Sequence, residues 1–288
     1  PLNDRHIGYG CWDKFKIMKT TWIVENFTKE SSYDELILAC KELGYKTVEI
    51  KGDFKYSDLD NVNNECVIFN GSIEMSKMVK THLSFKNCFP VCFNAWNNYV
   101  CSKYYSYYGN FMFNDRYMMM SLAEVARNKF FVYGNLGKEA LIFIRPDSGE
   151  KTFQAQLLDL MDVDRFVEKN ADIKHDLVLV SSPKKIIGEW RFVVADKEII
   201  TYSTYRFQDQ ITKIPGAPQG AIDKCKEILD NIPYVPDPVF CMDICESGDH
   251  EFYLLELTSF SSCGLYSTDK KKIIQKVSKI AESLYVRN

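Results

Sequence analysis

Between Thr20 and Asn94 the chain alternates short apolar runs with longer amphipathic stretches, and this alternation restricts the fold more than any other feature. "TTWIVE" (20–25), "YKTVEI" (45–50), "CVIFN" (66–70) and "FPVCFN" (89–94) have the length and β-branched content of strands. "SSYDELILACKELG" (31–44) reads as a helix, with Ser32 and Glu35 spaced as a capping box and Gly44 suited to the C-terminal cap. "GSIEMSKMVKTHL" reads as a second helix. Strands alternating with helices predict a small parallel sheet covered on both faces. No G-x-G-x-x-G follows the first strand, so a dinucleotide site has no support.

The pattern changes near residue 95. "WNNYVCSKYYSYYGNF" carries Tyr99, Tyr104, Tyr105, Tyr107 and Tyr108. Beside Lys103 these rings could stack on bases, or they could pack as a tyrosine-rich linker on the next unit. "NDRYMMMSLAEVARNK" (114–129) predicts a helix with Asn114 as N-cap. The remainder is rich in strands. "IIGEWRFVVA" (186–195) and "EIITYSTYRF" (198–207) flank a tight turn at Asp196-Lys197, and "PVFCMDICES" (238–247) and "EFYLLELTSF" (251–260) flank a second turn. Both pairs predict hairpins, and a helix from about 268 to 286 closes the chain. This mixed order predicts α+β packing rather than a continued parallel sheet.

The strand "LIFIRP" (141–146) ends in Arg145, and a desolvated guanidinium needs an anionic partner. A carboxylate or a phosphate would serve. The loop that follows is no Walker A motif, because Gly149 is succeeded by Glu150.

With 36 basic and 39 acidic residues, the net charge of −3 makes no global case for nucleic acid or an anionic membrane. The ten cysteines form no C-x-x-C pair and the four histidines are scattered, which argues against zinc. No apolar run approaches the ~20 residues of a transmembrane helix. Free cysteines inside apolar strands fit a reducing cytoplasm. Residues 1–17 lack a clear period and Met18 opens "MKTTWIVENF", so 1–17 reads as an extension outside the fold.

Asp243 and Glu256 each interrupt an apolar strand, and an ungapped hairpin sets them within about a residue of opposite. Facing carboxylates repel, and neither strand contains Lys or Arg. A hard divalent cation such as Mg²⁺ would reconcile them; alternatively, one carboxylate faces solvent on the far side of the sheet. Glu189 and Arg191 are two apart and share a strand face, Arg206 ends the partner strand, and Arg145 ends its own. Arginines combined with an acidic metal site make a phosphate-handling inventory.

The ordered set of "FIRP", a loop with lysine, "LVLVSS", "EWRFVV", "YSTYR" and "ELTSFSSCGLY" resembles the ATP-grasp superfamily. More narrowly, it resembles the phage-associated clade in which arginine replaces a usual phosphate-binding lysine. The resemblance implies an α/β plus α+β architecture: an ATP-grasp fold with an N-terminal Rossmann-like pre-grasp domain. It divides the chain into 1–17, 18–98 and 99–288, the last with two subdomains and a hinge near 179–183. It implies that Arg145 and Lys151 contact ATP phosphates, that Arg116 is a further basic residue binding the nucleotide, that the backbone of Leu179, Val180 and Ser181 meets adenine, and that Glu189 binds ribose. Arg191 and Arg206 become catalytic residues near the γ-phosphate, and Asp243, Glu256 and Thr258 ligands of Mg²⁺. Thr258 stands where the family has asparagine, a better metal ligand. The implied activity is ATP-dependent ligation of a small-molecule or peptide carboxylate to an amine through an acyl phosphate, in the cytoplasm, or in a host cytoplasm for a phage protein. The alternative is a non-catalytic module that binds nucleotide or peptide.

Overall fold

The structure, a computed structural model, describes residues 20–26, 31–52 and 55–287. The segment 1–17, read as an extension, lies outside the described residues. The first sheet is built from β1 (Thr20–Glu25), β2 (Lys46–Ile50), β3 (Cys66–Asn70) and β4 (Phe89–Val91), in the order β2-β1-β3-β4 and parallel throughout. Helix α1 (Ser31–Glu42) covers one face and α2 (Ile73–Ser84) the other, as the alternation predicts. Gly44 follows α1 with φ +77, a conformation that favours glycine. The capping box does not form. Ser32 lies inside the helix with its buried hydroxyl unpartnered, and Glu35 pairs with Lys270 at 3.2 Å instead.

The tyrosine segment folds into α3 (Cys101–Tyr108). Tyr99, Tyr104, Tyr105 and Tyr108 enter the core, while Tyr107 remains exposed and stacks on Tyr234. The rings that might have stacked on bases therefore act mainly as packing. The predicted helix over 114–129 is in part a strand: β5 (Tyr117–Ser121) precedes α4 (Leu122–Arg127) and α5 (Lys129–Leu136). Then come β6 (Leu141–Pro146), β7 (Gln156–Asp159), α6 (Val163–Lys169) and β8 (Leu177–Ser181). The four strands form an antiparallel sheet in the order β5-β8-β6-β7. Local helical preference loses at Tyr117–Ser121 because the segment finds a ladder on β8.

A third sheet has the order β11-β10-β9-β12-β13. Its strands are β9 (Ile186–Ala195), β10 (Glu198–Phe207), β11 (Gln210–Pro215), β12 (Val239–Ser247) and β13 (Phe252–Ser259). Both predicted hairpins are present, as β9-β10 and β12-β13. Helix α7 (Gln219–Asn231) joins Phe192, Phe240 and the tyrosines on one face. On the other, α8 (Lys270–Arg287) packs between this sheet and the first, joining Val193, Ala195, Val239 and Cys241 to Trp22 and α1. The buried Trp22 indole donates to Ser278 at 3.0 Å. Among the described residues, no helix is long and apolar enough to cross a membrane.

Candidate functional site

Side chains alternate across a strand, so Arg191, Asp243 and Glu256 lie on the same face as core residues two positions along: Val193 on β9, Cys241 on β12 and, past Thr258, Phe260 beyond β13. Asp243 is directly opposite Glu256 on one side and Arg191 on the other. An ionic row thus begins where the apolar face gives out. Arg191 grips Asp243 bidentately, Nε to Oδ1 at 2.8 Å and Nη2 to Oδ2 at 2.6 Å, and donates from Nη1 to the Gly264 carbonyl at 3.0 Å. Glu256 accepts from Arg145 Nη2 at 3.2 Å, Lys151 Nζ at 3.0 Å and the Thr258 hydroxyl at 3.3 Å.

The cations missing from the two acidic strands are therefore supplied by neighbouring elements: Arg191 from β9, Arg145 from β6 and Lys151 from the loop after it. Charge balance alone does not require a metal between the acids. Burial alone would raise the Glu256 carboxyl, yet Lys151, Arg145 and Arg191 outweigh it and hold it well below the usual carboxylate range. Burial pushes the Asp243 carboxyl up, against the pull of Arg191.

The loop 147–155 is fastened on three sides. Asp147 accepts from the backbone N–H (2.6 Å) and hydroxyl (2.9 Å) of Ser102, Glu150 pairs with Lys77 of α2 at 2.5 Å, and Lys151 reaches Glu256. Gly149 is so close to the chain entering α3 that a Cβ there would meet Tyr99 Cβ at 2.8 Å. Lys151 has φ +53, a strained position for a residue with a side chain. Arg145, Lys151, Phe153, Gln154 and Glu256 line a cleft of about 390 Å³.

The remaining expected residues are more dispersed. Glu189 is buried and held by Tyr205 and by Arg206, whose Nη1 is 3.4 Å from Oε1. Burial pushes its carboxyl up, while Tyr205 and Arg206 oppose this. Leu179 is opposite Arg145, but Leu179, Val180 and Ser181 pair with β5 on one side and β6 on the other. Their peptide groups are engaged in the ladder, which leaves Ser182 and Pro183, beyond the strand, as the more open part of the expected hinge. Arg116 is exposed and donates to the Asn135 carbonyl at 3.2 Å rather than joining the ionic row.

Two observations test whether Mg-ATP suits these residues. Asp243, Glu256 and Thr258 offer only oxygen, the donor set of a hard cation, and Mg²⁺ is commonly held by one or two carboxylates plus substrate phosphates. Arg145 Nε is a buried donor without a partner, as a phosphate oxygen would require. The residues present fit the group. Sequence reasoning passed over Tyr205 and Tyr266, whose rings lie 5.6 and 5.0 Å from Arg191 Cζ; their only signal was adjacency to the arginine of "YSTYR" and the "CGL" of the motifs already noted.

A family model for an ATP-grasp domain, family 2 of its clade, matches residues 124–276, more than half of the chain. No curated protein sequence matches. Among solved structures, the fold is similar to that of D-cycloserine synthetase DcsG, at 12% identity and TM-score 0.56, covering 91% of this chain and 99% of that one. It is also similar to D-alanine–D-alanine ligase from Bacillus anthracis, at 11% identity and TM-score 0.53, covering 93% and 99%. N5-carboxyaminoimidazole synthetase from Staphylococcus aureus, complexed with ADP, gives 12% identity and TM-score 0.58, covering 90% and 77%.

Proposed function

Because the chain belongs to this ATP-grasp domain family and has the ATP-grasp fold, we propose that it is an ATP-dependent ligase that joins a carboxylate to an amine. In this reading the carboxylate takes the γ-phosphoryl group of ATP to become an acyl phosphate, the amine displaces phosphate, and ADP leaves. The observation that carries the reading is the cleft in which Arg145 and Lys151 converge on Glu256 beside the Arg191–Asp243 pair. The fold neighbours named above as a ligase and as synthetases support it.

On this reading, residues 18–98 are the pre-grasp unit and 99–288 the ATP-grasp domain, hinged near 179–183. Arg145, in the place of the family's usual lysine, and Lys151 bind the phosphates, exchanging Glu256 for phosphate oxygens. Arg191 and Arg206 neutralise charge on the transferring phosphoryl group, and Glu189 orients the ribose. Arg116 joins the nucleotide contacts only if its bond to Asn135 breaks. Asp243, Glu256 and Thr258 would hold Mg²⁺, which when bound supplies positive charge against the phosphate oxygens. The substrates are a small-molecule or peptide carboxylate and an amine, met in the cytoplasm.

A second reading, a non-catalytic nucleotide- or peptide-binding module, is favoured by Thr258 at the expected asparagine position and by the compensation of both acids without a metal. Incubation of the protein with Mg-ATP and pools of carboxylates and amines, followed by mass spectrometry and measurement of ADP, separates the two. The ligase reading expects ADP and a new amide that depend on both substrates. Nucleotide binding without ADP from any pool supports the binder, and no nucleotide binding at all defeats both ATP readings.

A further inference from the structure

Arg191 has three of its five N–H groups committed, two to Asp243 and one to the Gly264 carbonyl. That leaves two for an incoming oxyanion. Contacts in the plane of a guanidinium set its direction, and beside them the aromatic rings of Tyr205 and Tyr266 lie 5.6 and 5.0 Å from Arg191 Cζ. The two rings also stack on each other, with centroids 5.0 Å apart and an interplanar angle of 12°.

Tyr266 does this from an unusual backbone. Its φ is +42, in the left-handed region that an aromatic residue adopts only where its surroundings impose it. The turn closes on itself, with the Thr268 N–H bonded to the Leu265 carbonyl at 3.1 Å, and is braced from outside by Lys270 at the start of α8. Its ammonium donates to the Tyr266 carbonyl at 2.5 Å and the Thr268 carbonyl at 3.0 Å, and pairs with Glu35 of α1 at 3.2 Å. Lys270 is only 6% exposed. Burying a cation to hold two carbonyls of one short loop is a costly way to shape that loop, and the feature shaped is the residue lying on Arg191.

Resting on the phosphate-binding reading of Arg191, we propose that Tyr266 is a positioning residue: its ring, fixed in place by Lys270, orients the Arg191 guanidinium so that its two uncommitted N–H groups serve the γ-phosphoryl group. Tyr266→Asn is the informative variant, because asparagine tolerates a positive φ and removes the ring without adding strain. Two measurements follow. The first is the Nε–H resonance of Arg191 in ¹⁵N-labelled protein without nucleotide, assigned by its loss in Arg191→Lys. The second is calorimetric affinity for Mg-ATP and Mg-ADP. Tyr266→Asn is expected to shift and broaden the resonance and to weaken Mg-ATP by about tenfold, the scale of a lost cation–π contact, while leaving Mg-ADP unchanged. Tyr266→Phe keeps the ring and is expected to match the wild type in both.

A resonance that shifts without broadening, as loss of the ring current alone would give, or equal weakening of ATP and ADP, overturns the proposal, since a packing defect does not distinguish the two nucleotides. If the wild type binds neither nucleotide, the ATP-ligase reading fails, and the line width of the resonance still decides whether Tyr266 sets Arg191. Should Tyr266→Asn not fold, Lys270→Met tests the same link from the backbone side with the same readouts.

Discussion

Arg145 combines a buried guanidinium, a 3.2 Å contact to Glu256 and an unpartnered Nε. A carboxylate therefore satisfies it only in part. If phosphate is the remaining partner, Arg145→Ala is expected to weaken Mg-ATP binding by ~1.5–3 kcal/mol, the worth of a charge-assisted contact. Arg145→Lys retains the charge but not the fork, and should fall between the two. Calorimetry decides, and an alanine variant that binds Mg-ATP normally returns Arg145 to a purely structural pairing. Arg191 differs in that two of its N–H groups are on Asp243, in the buried bidentate form that is costly to break from one side.

At the scale of elements, the segment between β4 and α3 is tied to the start of β12 through Asp237. Its Oδ2 accepts from the Ala95 N–H and the Tyr99 hydroxyl, both at 2.9 Å. Burial pushes this carboxyl up to about 6, against roughly 3.9 in an unfolded chain. Between those values the folded protein holds a proton that the unfolded chain has released, so stability falls as pH rises through the window and is level above it. Asp237→Asn cannot ionise, and its amide oxygen can still accept both bonds. The difference in Tm between this variant and the wild type is expected to grow in the variant's favour from about pH 4 to about pH 6 and then remain constant. A difference that is flat over that range shows the carboxyl to be unperturbed. The same tie explains why the tyrosine segment is not a free linker: Tyr99 is bonded to Asp237, and Tyr234 donates to the Asn98 carbonyl at 2.7 Å.

For the whole molecule, the proposed nucleotide contacts come from two different sheets: Arg145 and Lys151 from the β6 side, Asp243, Glu256 and Arg191 from the β9-β12-β13 side. A ligand bridging them binds only the folded chain. Mg-ATP at a hundredfold its Kd should therefore add about 2.7 kcal/mol by mass action, a rise of several degrees in Tm. Glu256→Gln should diminish that rise, because it removes a ligand of the expected Mg²⁺ and a partner of Arg145 and Lys151 together. A wild type whose Tm is indifferent to millimolar Mg-ATP would exclude the clamp, whether catalytic or not.

Local pattern was enough for the parallel first sheet, because the apolar runs and helices there repeat within short stretches of chain. It was also enough for the two hairpins and for Asp243 within about a residue of Glu256, since a tight turn between two alternating strands sets their register, while a register shift between Asp243 and Ile244, which the sequence did not announce, brings the two directly opposite. Local pattern failed where an element exists only because a distant one pairs with it. Tyr117–Ser121 reads as helix and becomes a strand on β8, and the short edge strands β7 and β11 carry little period of their own. The charge chemistry of the site was decided the same way. Arg145 meets Glu256 across 111 residues of sequence and Arg191 meets Asp243 across 52, so the strands bearing the acids held no trace of the bases that neutralise them. The left-handed turn at Tyr266 is braced by Lys270 of α8, which pairs in turn with Glu35 of α1, a contact that exists only once the sheets have assembled.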